Sequence, residues 1–184
     1  MKNYSIWNDT KKIKNYNKLN NNIEVDICII GGGISGISTA YNLINKNLKI
    51  CLIERNIIGN GVTTIGDYAF IGTGPNAIIV DPNNTAYSSD QYGALFNKDQ
   101  TIIYYYPTIN TRKDYAIPDT VKVINDQAFC GAGYLHNITI PDGVTSIGKR
   151  AFEYGDRIES IEIPDTVISI GEYALSDCDA LKKV

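Results

Sequence analysis

The sequence predicts an α/β chain in two parts: one β-α-β unit over residues 1–60, then a short solenoid over 61–184 carrying an inserted β-hairpin at about 81–116. Three observations carry this expectation. A strand, a glycine turn, a helix and a second strand follow one another and end on an acid, Glu54. An Ile-Pro-Asp corner recurs at a fixed period near the C-terminus. Between the first repeat and the later ones, two apolar runs flank a short polar turn.

Residues 1–24 are rich in Asn and Lys, most of all at 15–22, and form a polar lead-in with room for a short helix near Asp9–Tyr16. The pattern then tightens. Val25-Asp26-Ile27-Cys28-Ile29-Ile30 is an apolar run of strand length, and Gly31-Gly32-Gly33-Ile34-Ser35-Gly36 follows at once. Ile37, Ala40, Leu43 and Ile44 recur at helical spacing. A second strand, Leu48-Lys49-Ile50-Cys51-Leu52-Ile53, runs into Glu54.

Gly31, Gly33 and Gly36 occupy the three positions of a G-x-G-x-x-G turn, and its strand and helix surroundings give the motif its weight. Gly31 permits the tight turn out of the strand. Gly33 lets backbone approach a pyrophosphate at the helix N-terminus, where unpaired N–H groups favour anions. Gly36 lets helix and strand pack closely. Glu54 lies 54 − 31 = 23 residues on and can accept hydrogen bonds from a ribose. An acid there favours FAD or NAD over NADP.

The string 23–36, with Ile53-Glu54-Arg55, resembles the N-terminus of FAD-dependent oxidoreductases of the D-amino-acid oxidase and glycine oxidase type. The resemblance covers about residues 1–63, including Trp7. It implies a partial Rossmann unit that binds the ADP half of FAD through Gly31, Gly33, Gly36 and Glu54. Asn47 stands where that family often has glycine, a mild departure because Asn tolerates a left-handed backbone. No further strands, flavin-ring site, substrate domain or late FAD-contacting segment follow in the sequence, so no catalytic residue is assigned.

The repeats begin beyond this point. Ile117-Pro118-Asp119, Ile140-Pro141-Asp142 and Ile163-Pro164-Asp165 are spaced 140 − 117 = 23 and 163 − 140 = 23. The apolar columns keep step: Val121, Val144 and Val167; Ile124, Ile147 and Ile170; Phe129, Phe152 and Leu175; Ile138, Ile161 and Val184. The Ala-Phe pairs are expected on a short turn or helix facing the core. An earlier unit, Gly61 to Phe70, aligns with Gly143 to Phe152. From its start at Ile58, 117 − 58 = 59, one period of 23 plus 36 inserted residues. Within the insert, the stretch from Ala94 to Pro107 reads as two strands around the polar turn Asn97-Lys98-Asp99-Gln100.

One such unit cannot bury its apolar columns alone; neighbours bury them for each other. These units resemble BspA-type leucine-rich repeats over about Gly61–Val184, and the insert from Asn84 to Pro107 is similar to one in that family. The resemblance implies an adhesion or interaction module without a catalytic residue. The candidate contact surface is the outward set His136, Asn137, Thr139, Glu159, Ser160, Glu162, Lys182 and Lys183. Tyr104, Tyr105 and Tyr106 are a second candidate, a sticky patch in which alternation buries at least one ring.

Composition narrows the classes. Seventeen basic and 20 acidic residues leave a net charge of −3, which gives no footprint for nucleic acid or anionic membranes. No apolar run approaches the ~18 residues of a membrane span. Cys28, Cys51, Cys130 and Cys178 form no C-x-x-C pair and share the chain with a single His136, so no metal site is expected. They read as buried, inert thiols. The N-terminus lacks the apolar core of a secretory signal, which points to the cytoplasm, with a surface location if the chain is a fragment. The shared tripeptide Gly61-Val62-Thr63 fits both halves and reads as a junction. Three functions follow as expectations: a non-catalytic repeat module binding a protein or glycan partner, an FAD-dependent oxidoreductase fragment, and a β-α-β unit that caps the solenoid.

Overall fold

The computed structural model describes residues 25–30, 48–53 and 75–182, with positions 39, 40, 43, 46, 65 and 70. Gly31, Gly33, Gly36, Glu54, the lead-in, the junction tripeptide and Lys183 lie outside the described residues. Twelve short strands are described, in three sheets.

The first sheet holds β1 (Ile27–Ile30), β2 (Ile50–Ile53) and β3 (Ala77–Val80), all parallel, in the order β2-β1-β3. Both expected N-terminal strands are present. Thr39, Ala40 and Leu43 are helical, and the rest of the expected helix lies outside the described residues. The order is informative. Coils of a solenoid stack in sequence, so three of them would run 1-2-3. Here β1 is central, and the chain crosses from β2 to its far side to lay down β3.

The solenoid has two sheets. One contains β4 (Tyr87–Ser89), β5 (Leu95–Asn97), β6 (Ile102–Tyr105), β8 (Val123–Ile124), β10 (Ser146–Ile147) and β12 (Ser169–Ile170), in the order β12-β10-β8-β6-β5-β4. The other contains β7 (Asp114–Ala116), β9 (Asn137–Thr139) and β11 (Ser160–Glu162). Partners are offset by one period throughout the later coils, as in Ile147↔Ile170 and Ile138↔Ile161.

Each coil turns at its Ile-Pro-Asp corner because proline has no N–H to extend a ladder. The corners close identically: the amides of Val121, Val144 and Val167 donate to the carbonyls of Pro118, Pro141 and Pro164 at 2.9, 3.1 and 3.0 Å. The Ala-Phe pairs sit on turns and are fully buried at 128–129 and 151–152. Phe129 stacks on Phe152 with centroids 5.2 Å apart and planes 18° off parallel.

The inserted hairpin is present, with β5 and β6 antiparallel around residues 98–101. Asn97 holds the turn: its Oδ1 accepts from the amides of Thr101 and Ile102 at 2.8 and 2.9 Å. Beyond the hairpin, β4 adds a third antiparallel strand, and β6 pairs in parallel with β8. The segment after the hairpin therefore behaves as a coil of the stack. Tyr106 occupies the Phe column (129 − 106 = 23) and stacks on Phe129 at 5.3 Å, while Tyr115 occupies the column of Ile138 (138 − 115 = 23). Tyr105 and Tyr106 are buried and Tyr104 is half-buried, so of the three candidate rings two belong to the core.

Two apolar clusters result. The larger runs through the coils from Ala94 to Ala174. The smaller joins Cys28, Ile30, Ile78 and Val80 of the N-terminal sheet to Tyr87, Leu95 and Tyr105 of the insert. This second cluster couples the two parts of the chain.

Candidate interaction face and cofactor edge

The β7-β9-β11 sheet has one buried and one open side. Tyr115, Ile138 and Ile161 point inward, and Asp114, Ala116, Asn137, Thr139, Ser160 and Glu162 are exposed. Period-2 alternation in a three-residue strand centred on an apolar residue puts both flanking positions on one face. Parallel pairing in register then lines them into rows, with Asp114 beside Asn137 beside Ser160. Asn137 Nδ2 donates to Asp114 Oδ1 at 2.6 Å along one row.

A flanking row is charged. Glu159 lies between His136 and Lys182, with Oε1 3.5 Å from His136 Nδ1 and Oε2 3.3 Å from Lys182 Nζ. The hydrogen bond and positive charge of Lys182 hold the Glu159 carboxyl below its ordinary range, with His136 adding to the effect. A carboxyl lowered in this way favours the folded state above its ordinary range and loses that contribution as pH falls from that range through the lowered one. The pairs are exposed, and exposed pairs set surface pattern more than stability. Of the expected contact residues, Asn137, Thr139, Ser160 and Glu162 share the open face, His136, Glu159 and Lys182 form its edge, and Lys183 is not described. Asp114 and Ala116 belong to the same face. The 23-residue spacing from Asn137 and Thr139 is the signal that identifies them.

The second candidate region is the carboxyl edge of the N-terminal sheet. Ile30 pairs with Ile53 on one side and Val80 on the other, so the three strands end level. The Asp81 amide donates to the Ile30 carbonyl at 3.2 Å and ties β3 to the end of β1, the residue before Gly31. β1 is central, with β2 and β3 on either side of it. Gly31 and Glu54 directly follow β1 and β2 in sequence, though their own geometry lies outside the described residues. Among the described residues, no group of three or more His, Cys, Asp or Glu side chains is placed to hold a metal ion. No helix there is long and apolar enough to cross a membrane.

A stack of 23-residue coils with one open parallel sheet face defines a repeat scaffold of the leucine-rich class. Comparison with known proteins agrees: residues 100–184 match the model of the BspA type leucine rich repeat region, and residues 26–75 match that of FAD dependent oxidoreductases. Residues 100–184 are thus a leucine-rich repeat module, and residues 26–75 a preceding segment similar to FAD-dependent oxidoreductases. A leucine-rich repeat protein from Eubacterium ventriosum is 38% identical, with a TM-score of 0.63 over 66% of this chain and 32% of that one. The pneumococcal vaccine antigen PcpA, 17% identical with a TM-score of 0.55, covers 85% of this chain and 38% of its own and shares the fold. The thiamine thiazole synthase of Desulfosudis oleivorans is 44% identical over 48 residues, 26% of this chain and 19% of that protein. The chain spans only 12% to 22% of the length of the curated relatives it matches.

Proposed function

We propose that this chain is a non-catalytic interaction module that presents the β7-β9-β11 face to a protein partner. The observation that carries the reading is the open parallel face, whose outward positions 114, 116, 137, 139, 160 and 162 form straight rows over a buried apolar centre. Those positions hold two carboxylates, one amide, two hydroxyls and the methyl of Ala116, with no aromatic ring, which suits a basic protein segment better than the apolar face of a sugar. Charge complementarity of this kind acts through steering and register and weakens with salt. The test is binding of the full chain to an array of lysine- and arginine-rich peptides. Reversing Glu159 and Glu162 together to Lys is expected to weaken capture at least tenfold, about 1.4 kcal/mol, with the circular dichroism spectrum unchanged. Equal capture by the double variant and the parent would sink the reading.

A second reading concerns the N-terminal segment, with Gly31, Gly33, Gly36 and Glu54 holding the ADP half of FAD. Its support is the parallel order β2-β1-β3, the level carboxyl edge and the similarity of residues 26–75 to FAD-dependent oxidoreductases. These features fit a dinucleotide. FAD would supply redox chemistry, and the residues of this chain would bind its phosphates and ribose. Titration with FAD is expected to quench flavin fluorescence saturably, and Gly33→Val is expected to abolish the effect. Colourless protein that leaves added FAD fluorescence unaltered would count decisively against it. The same sheet, through the cluster of Cys28, Ile30, Ile78 and Val80, also serves as a cover for the insert end of the solenoid.

A further inference from the structure

Two of the four cysteines are brought together by strand pairing. Cys28 of β1 and Cys51 of β2 are direct partners in the parallel register. Paired residues of adjacent strands project to the same side of the sheet. Neighbouring strands lie about 4.8 Å apart, within the Cα separation of about 4.4–6.8 Å that a disulfide spans. Both cysteines are free thiols in this structure.

We propose that Cys28 and Cys51 are a reversible dithiol–disulfide pair, oxidised by hydrogen peroxide, that locks β1 to β2 across the glycine turn. The two thiols differ in a way that sets their roles. Cys28 is 3% exposed and Cys51 is half-buried, so peroxide meets Cys51 first. A hydrogen bond from the Cys28 thiol holds Cys51 below the usual thiol range, while that bond and burial push Cys28 well above it. Cys51 is therefore the attacking thiolate and Cys28 the resolving group. The Cys51 thiolate attacks one peroxide oxygen, forming an S–O bond and releasing hydroxide, which leaves a sulfenic acid. The Cys28 sulfur then attacks the Cys51 sulfur, forming the S–S bond. The hydroxyl departs as water with the Cys28 proton. Two thiols lose two hydrogens, and one peroxide becomes two waters.

The other two cysteines provide an internal control. Cys130 packs beside Glu153 at 3.9 Å, Cys178 donates to the Phe152 carbonyl at 3.2 Å, and burial raises both. The ring closed by the bond contains Gly31, Gly33 and Gly36.

The full chain is exposed to equimolar peroxide, quenched, denatured and alkylated with a maleimide of high mass. Four cysteines less the pair leaves two to be labelled, Cys130 and Cys178. Non-reduced peptide mass spectrometry is expected to show one Cys28–Cys51 link that dithiothreitol removes. In Cys28→Ser, the same treatment is expected to stop at a Cys51 sulfenic acid trapped by dimedone. Four labelled thiols after peroxide, a link through Cys130 or Cys178, or sulfinic acid at Cys51 of the parent chain without a link would each overturn the proposal. The parent-chain experiment stands even if the serine variant fails to fold.

Discussion

Phe129→Ala is expected to lower the free energy of unfolding by about 3–5 kcal/mol, read as a shifted midpoint in urea denaturation followed by far-ultraviolet circular dichroism. Phe129 is fully buried and stands at the centre of an aromatic stack. It lies 5.3 Å from Tyr106, 5.2 Å from Phe152 and 5.9 Å from Tyr115, centroid to centroid. Each flanking coil uses this ring as its floor or ceiling, so its removal weakens two interfaces of a stack held together by nearest neighbours. Tyr154→Ala is the control: the ring is 52% exposed, and a change there should stay within about 0.5 kcal/mol. A loss at Phe129 no larger than that at Tyr154 would refute the stack as the source of stability.

Gly93→Val should cost about 2–5 kcal/mol, combining left-handed strain with overpacking. Gly93 has φ +81°, and an added Cβ would stand 2.5 Å from Ala77 Cα. That contact cannot relax cheaply, because the obstacle is backbone. The Ile78 amide donates to the Gly93 carbonyl at 3.0 Å, so the glycine is where the insert grips β3. The damage should be local. Hydrogen exchange is expected to deprotect Ile78 and Val80 while leaving Ile138 and Ile161 protected, as befits a solenoid with separable stability. Uniform deprotection of all four would show that the insert and the later coils unfold as one unit.

The parts of the fold legible in the sequence are those that repeat. Ile117-Pro118-Asp119 and its two copies announce their corners because proline at a fixed interval has one structural meaning. The buried columns follow from the same period. The face residues Asn137, Thr139, Ser160 and Glu162 were legible too, since a strand centred on Ile138 or Ile161 leaves only one outward parity. Tyr106 and Tyr115 were obscured by their neighbours. Three consecutive tyrosines at 104–106 look like a surface patch until the 23-residue offset to Phe129 is noticed, and Asp114-Tyr115-Ala116 lacks the aliphatic residue of its column. Tyrosine is tolerated at that buried position because its ring packs on Phe129 while its hydroxyl donates to Asp90 Oδ2 at 2.7 Å.

At the N-terminal end, the sequence determined the two strands β1 and β2, because each depends on residues adjacent in the chain, and it is the sequence alone that motivates the proposed roles of Gly31, Gly33, Gly36 and Glu54. It also determined the 23-residue period and with it the solenoid. Only the tertiary structure decided that β3 lies on the far side of β1, that β4, β5 and β6 extend the solenoid sheet, and that Cys28 faces Cys51. Strand pairing is chosen by burial and by the backbone groups left unpaired at each edge. Those depend on segments tens of residues apart, whereas a period or a glycine turn is written within a single stretch of chain.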